Sequence, residues 1–217
     1  MISDEEQAKA FTAKLCDTAA MDQLNRLVAL LVAENGKQNL IAEATVPHMW
    51  QRHIADSAQL LRYVPRETGI WLDLGTGAGF PGLVIAVMRP SWKIRLVESR
   101  KRRVDWLERA AGDLGLSQCE VFGQRLEDID SFAAGVISAR AFAPMQRLMK
   151  LSARFSTAQT LWLLPKGRSA TQDLDALPKS RRSAFHVEQS LTDPEAGIII
   201  GGGGPSEGIP PKARQAS

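Results

Sequence analysis

Apolar residues in the first 65 positions fall at helical spacing. Leu24, Leu27, Val28 and Leu31 line one face, and a second stretch runs through Trp50, Ile54, Leu60, Leu61 and Val64. Pro47 suits the first turn of that second helix, where a missing amide donor does no harm. Beyond Pro65 the period changes. Short apolar runs at Trp71–Leu74, Ile94–Glu98, Glu120–Phe122, Val136–Ser138 and Thr160–Leu164 read as strands. Helices fill the gaps, beginning near Pro81, Lys101, Pro144 and Ser169. The first of these must stop before Pro90, because the residue ahead of a proline is driven out of helical conformation. Phe185–Leu191 and Gly197–Ile200 follow one another without a helix, which predicts an antiparallel hairpin at one edge. The expected fold is α/β, a mostly parallel sheet covered on both faces and closed by that hairpin. The chain then divides into an amino-terminal helical extension over 1–65, an α/β domain over 66–200 and a tail over 201–217. Four consecutive glycines and three prolines give the tail no apolar period and predict disorder.

At 217 residues and 44% hydrophobic, the chain can bury one core of ordinary size. Its longest apolar run, Leu83 to Met88, is far short of the ~20 residues that span a bilayer. Asp4, Glu5 and Glu6 stand where a secretory signal would be basic, so a cytoplasmic protein without membrane attachment is expected. Cys16 and Cys119 share no short spacing with each other or with His48, His53 or His186, and neither a disulfide framework nor a metal site is predicted. The net charge of +3 says little, but its distribution says more. Between Arg89 and Arg109 eight basic residues face three acidic ones, and four of them, Arg100, Lys101, Arg102 and Arg103, are consecutive. A phosphate-contacting patch and a solvated cationic helix face are both compatible with that run.

The most informative stretch is Trp71-Leu72-Asp73-Leu74-Gly75-Thr76-Gly77-Ala78-Gly79-Phe80-Pro81-Gly82, a strand running into a glycine-rich turn and a helix. Glycines let a backbone turn sharply against a ligand, and the crevice beyond the first strand of an open α/β sheet is where nucleotides bind. Gly77 to Gly82 also fits the dinucleotide fingerprint G-x-G-x-x-G, which keeps an NAD(P)-dependent oxidoreductase in view. Two features oppose it. Asp73 would repel a pyrophosphate but suits the amino group of a methionine moiety, and Pro81 removes one of the helix-start donors a pyrophosphate uses. The loop favours a cofactor with an amino acid end and no phosphate. Glu98, closing the second strand, can accept from ribose hydroxyls, and Arg125-Leu126-Glu127-Asp128 after the third can meet an adenine.

These segments resemble the bacterial small-subunit ribosomal RNA guanine-N7 methyltransferases, a family also called glucose-inhibited division protein B. The resemblance rests on Asn39-Leu40, His53-Ile54-Ala55-Asp56-Ser57, the Asp73–Gly82 loop, Lys101-Arg102-Arg103-Val104 with Trp106-Leu107, Arg125-Leu126-Glu127, Ile137-Ser138-Ala139-Arg140-Ala141-Phe142-Ala143 and Leu164-Pro165-Lys166-Gly167. It implies a Rossmann-like class I methyltransferase that acts on 16S ribosomal RNA or the small ribosomal subunit. It also implies that Gly75, Gly77 and Phe80 line the S-adenosylmethionine site, that Leu126 and Glu127 meet the adenine, and that Arg140 faces both cofactor and target base as the catalytic residue. The family's more usual Ile-Ser-Arg-Ala-Phe-Ala is interrupted here by Ala139, which moves Arg140 by one residue and to the other side of its strand unless a bulge absorbs the insertion.

The chemistry is consistent with that implication. Guanine N7 carries a free lone pair and no proton, so the protein has only to align the reactants. The position after the fourth strand lacks the Asn/Asp-Pro-Pro-Tyr/Phe element of exocyclic-amine methyltransferases, and Cys119 has no adjacent base to make it a nucleophile. A methyltransferase acting on another nucleic acid, and an RNA-binding scaffold with an empty pocket, remain alternatives at this stage.

Overall fold

The computed structural model describes residues 1–65, 67–140 and 142–203. Its centre is a seven-stranded sheet: β1 (Ile70–Leu74), β2 (Ile94–Val97), β3 (Cys119–Phe122), β4 (Ala134–Ala139), β5 (Leu161–Lys166), β6 (Phe185–Gln189) and β7 (Gly197–Gly202). The order is β3-β2-β1-β4-β5-β7-β6, parallel as far as β5, with β7 antiparallel to both its neighbours. From β1 the chain winds outward to β2 and β3, then returns to β4 on the other side of β1. This reversal opens a crevice at the carboxyl ends of β1 and β4.

Helices α1 (Glu5–Ala13) and α2 (Thr18–Asn35) begin at Asp4 and Asp17, whose carboxylates accept from the amides of Gln7 and Ala20. Leu24, Leu27 and Leu31 of α2 are almost wholly buried, as their spacing predicts. The second helical stretch is less regular than expected. Pro47 lies inside a 3₁₀ turn, Glu43–His48, and the path onward runs through a π turn (Trp50–Ala55), α3 (Asp56–Ala58) and a second 3₁₀ turn (Gln59–Tyr63). It ends at Val64, extended ahead of Pro65. Helix α4 (Gly82–Met88) follows the glycine loop and is buried at every position. The reason is geometric: its inner face meets β1 and β2 while α2 and α3 cover the outer one, so no polar face is required. Helix α5 (Lys101–Asp113) is amphipathic and buries Trp106, Leu107, Ala110 and Ala111. These elements share one core with the sheet face that holds Trp71, Val136 and Leu163. The opposite face, with Leu72, Ile137 and Trp162, is covered by α6 (Met145–Ser152) and α7 (Ala170–Asp175), and the short α8 (Lys179–Arg182) leads into β6.

At the far edge, β7 runs through Gly202, two residues into the segment expected to be disordered. Gly201 belongs there for a steric reason. A Cβ on Gly201 would run into the ring of Phe185, and Trp162 Nε1 donates to the carbonyl of Gly203 at 3.0 Å. The remainder of the expected tail, 204–217, lies outside the described residues.

The turn after β6 is held to the amino-terminal helices by buried polar groups. Gln59, 1% exposed, donates to Asp56 Oδ1 at 2.9 Å and to Ser190 Oγ at 3.2 Å, while its carbonyl accepts from the amide of Leu191 at 2.8 Å. Thr192 Oγ1 donates to Asp56 Oδ1 at 2.8 Å, and Arg52 pairs with Asp193 at 2.6 Å. Replacing Gln59 with Leu keeps the volume and strands the Leu191 amide, so unfolding is expected to become easier by about 1–3 kcal/mol. Chemical denaturation measures that loss, and faster hydrogen exchange at Leu191 locates it; unchanged values for both would show the network to be idle.

Candidate functional site

The site is organised by a carboxylate that no ligand can reach. Asp73, fully buried in β1, accepts at Oδ1 from Ser138 Oγ of β4 at 2.7 Å, and at Oδ2 from Thr76 Oγ1 and from the amide of Gly82 at 3.1 Å. Ser138 in turn accepts from Trp71 Nε1 at 2.8 Å. Burial pushes the Asp73 carboxyl above its ordinary range, and these donors pull it back. The expectation that Asp73 meets the amino group of a cofactor is therefore corrected. Its oxygens are consumed in tying the loop and the start of α4 to the sheet.

That loop turns at Gly75, whose φ of +62° is a conformation that side chains resist. A Cβ there would collide with the Phe142 ring, which lines the crevice. The glycine thus makes room for Phe142, and through it shapes the pocket. Gly82 is needed for close approach, since its Cβ would meet Leu96 and Asp73. A pyrophosphate has no seat at this helix start: Pro81 has no N–H, the Gly82 amide is spent on Asp73 and the Leu83 amide on the Gly79 carbonyl at 2.7 Å.

A crevice of about 420 Å³ opens at the ends of β1, β2 and β3, a size suited to a small-molecule cofactor. Gly75, Glu98, Leu126 and Glu127 all line it, together with Val97, Phe142 and four arginines. Glu98 is 7% exposed; its Oε1 accepts from the amides of Ser99 and Arg100 at 2.8 and 2.9 Å, which leaves Oε2 facing only Arg103 at 3.8 Å. Gly77 turns with φ +59° beneath Arg103 and does not itself line the crevice. A buried acid, apolar walls and a glycine turn fit an adenosine-bearing cofactor such as S-adenosylmethionine.

Phe80 and Arg140 lie elsewhere. Strand β4 keeps regular register with β1 from Val136 to Ala139, its one irregularity being at the other end beside Ile70. No bulge absorbs Ala139, so Arg140 projects on the same side as Ser138, toward the amino-terminal helices. There its guanidinium lies 5.1 Å from the centre of the Phe80 ring, and Phe80 stacks on His53 at 4.9 Å. Arg140 Nη1 is 3.4 Å from His53 Nδ1 and 3.8 Å from Asp56 Oδ2. These groups face a second cavity of about 340 Å³ at the ends of β4 and β5, where Lys166 pairs with Asp173 at 3.1 Å. The side chain of Phe80 is 2% exposed and reaches neither cavity wall. His53 and Asp56 stand three apart, a spacing at which side chains on a helix can meet; the ring instead bonds Thr45 Oγ1 at 2.9 Å and Arg140, which comes from a distant strand. Among the described residues no group of three His, Cys, Asp or Glu is placed to hold a metal ion, and no helix is long and apolar enough to cross a membrane.

Arginine has no acceptor, so His53 Nδ1 accepts from Arg140 and Nε2–H donates to Thr45. Burial first, then the charges of Arg140 and Arg52, push the His53 ring down to about 3. The unfolded chain binds this proton near pH 6.5 and the folded one does not, so the His53 contribution lowers stability as pH falls from about 6.5 toward 3. Unfolding free energies of the wild type and His53→Gln over that window should differ in slope by up to ~1.4 kcal/mol per pH unit; parallel curves would mean that the ring titrates freely. For Gly75→Ala, left-handed strain of about 1–2 kcal/mol and the collision with Phe142 should lower both thermal stability and cofactor affinity. Full retention of both would contradict the steric account.

The family model described as rRNA small subunit methyltransferase G, GidB, matches residues 20–196. Proteins named ribosomal RNA small subunit methyltransferase G from Erythrobacter litoralis and Novosphingobium aromaticivorans are 56% and 59% identical, covering 94% and 85% of this chain and 98% and 81% of their own. Among solved structures, a mutant of MtNAS in complex with S-adenosylmethionine superposes with a TM-score of 0.55 at 14% identity, over 93% of this chain and 84% of that one. An rRNA methylase from Streptococcus thermophilus superposes with a TM-score of 0.52 at 14% identity, over 70% and 97%. These two likenesses concern the fold, that of class I methyltransferases. The sequence matches go further: the chain belongs to the rRNA small subunit methyltransferase G family.

Proposed function

We propose that the protein transfers a methyl group from S-adenosylmethionine to N7 of a guanine in 16S ribosomal RNA, with the crevice at β1–β3 as the cofactor site and the cavity at β4–β5 as the seat of the target base. The observation that carries this reading is the family match across residues 20–196, laid over a crevice that suits an adenosine and refuses a pyrophosphate. S-adenosylmethionine supplies an electrophilic methyl on a sulfonium. Glu98 would hold the ribose through Oε2, Leu126 and Phe142 would flank the adenine, and Glu127 would meet its amino group. Arg140, in the wall of the cavity at β4–β5, would donate to the guanine edge or its phosphate.

The state of the nearby titratable groups supports a reaction that needs no base. His53 is neutral with both nitrogens engaged, and the Asp56 carboxylate is taken by Gln59, Thr192 and Arg140. Cys119 begins an edge strand, and burial, with Asp73 a lesser cause, pushes its thiol up to about 12. None of these is a ready base or nucleophile, and an N7 acceptor requires neither.

Small-subunit RNA incubated with the protein and S-adenosylmethionine should yield 7-methylguanosine by nucleoside mass spectrometry, and the same nucleoside should disappear from cells lacking the gene. Methyl on another atom, or none on RNA, overturns the assignment. Glu98→Gln keeps the Oε1 acceptor and removes the charge; S-adenosylmethionine affinity should fall at least ~10-fold, the loss of a hydrogen bond to a charged group. An unchanged affinity would place the ribose elsewhere.

A further inference from the structure

Four arginines line the cofactor crevice, and three of them are uncommitted. Arg103 pairs with Glu98, whereas Arg100, Arg125 and Arg147 are exposed and, among the described residues, make no ion pair or side-chain hydrogen bond. They come from three separate places. Arg100 precedes α5 beyond β2, Arg125 follows β3, and Arg147 lies in the first turn of α6 beyond β4. In the order β3-β2-β1-β4 they stand on both sides of the crevice mouth. The consecutive cations picked out by the sequence are mostly occupied: Lys101 with Asp105, Arg102 with the carbonyl of Lys37 and Arg103 with Glu98. Of that run, Arg100 alone has no ion pair or side-chain hydrogen bond among the described residues.

Three like charges around one mouth repel each other and focus a positive field into it, a cost that an anion relieves. The cofactor brings one carboxylate, and the crevice already holds Glu98 and Glu127. Three guanidiniums therefore exceed what a methionine end calls for and match a polyanion with evenly spaced charges.

We infer that Arg100, Arg125 and Arg147 form a clamp for the phosphates of single-stranded RNA, which they lay across the cofactor crevice toward the cavity at β4–β5. This rests on the reading of the protein as an RNA methyltransferase and adds to it the path of the strand. The clamp carries affinity without base preference, since phosphate contacts hold no sequence information.

The test measures binding of a labelled single-stranded RNA against salt for the full chain, with S-adenosylmethionine affinity followed by calorimetry in parallel. Each arginine changed to Ala should lower the magnitude of the salt slope by about 0.7, and the triple variant by about 2. The triple Lys variant should restore the slope, because charge and not geometry is read. Lys93→Ala, at the amino end of β2 and away from the crevice, should leave it unchanged. Preference for guanine should stay within about 2-fold of wild type. An unchanged slope in the triple Ala variant, or RNA binding by the wild type that does not depend on salt, overturns the clamp. A tenfold loss of cofactor affinity with an unchanged slope reassigns the arginines to the methionine carboxylate. If the slopes change as expected but no 7-methylguanosine forms, the clamp stands and the base assignment fails.

Discussion

One buried carboxylate sets the geometry of the active face. Asp73 bridges the point where β1 and β4 are neighbours but their following chains part, and it holds the glycine loop, the start of α4 and Ser138 at once. Such a group is costly to desolvate, and it is retained here with three donors in hydrogen-bond contact. Loss of any one donor would leave part of that cost uncompensated. The two cavities lie on either side of this anchor.

Which cavity Arg140 faces follows from the two-residue period of β4. Ile137 and Ala139 point into the core under α6, and Ser138 points to Asp73 and the amino-terminal side. Continued one step past the strand end, the same alternation puts Arg140 against His53 and Phe80, whereas Phe142 packs against Gly75 in the crevice. A single residue more or fewer in β4 would turn Arg140 away from His53 and Phe80.

Much of this was legible in the chain. All seven strands and the loop follow from periodicity and glycine spacing, because those signals are local. The crevice residues Gly75, Glu98, Leu126 and Glu127 were also found, since each ends or follows a strand. What sequence did not yield depends on partners far along the chain. Asp73 reads as a ligand contact until Ser138 and Gly82 are seen to use its oxygens. His53 reads as a partner of Asp56 until Arg140 arrives from β4. The run Arg100–Arg103 reads as a uniform patch until Glu98, Asp105 and the Lys37 carbonyl claim three of its members. The strand at Gly201 and Gly202 was hidden because glycine carries no apolar signal, even where an aromatic ring demands it.

The polar staple between the helical turns at 50–59 and the turn at 190–193 bears on how the molecule is made. Gln59 is buried, yet its partners beyond Asp56 are Ser190 and Leu191, which a ribosome adds some 130 residues later. Until they emerge, the helical turns can collapse on α4 but hold a carboxamide that keeps its bonds to Asp56 and lacks those to Ser190 and Leu191. Vectorial synthesis therefore leaves the amino-terminal layer provisional, and the last hairpin to leave the exit tunnel is the one that locks it.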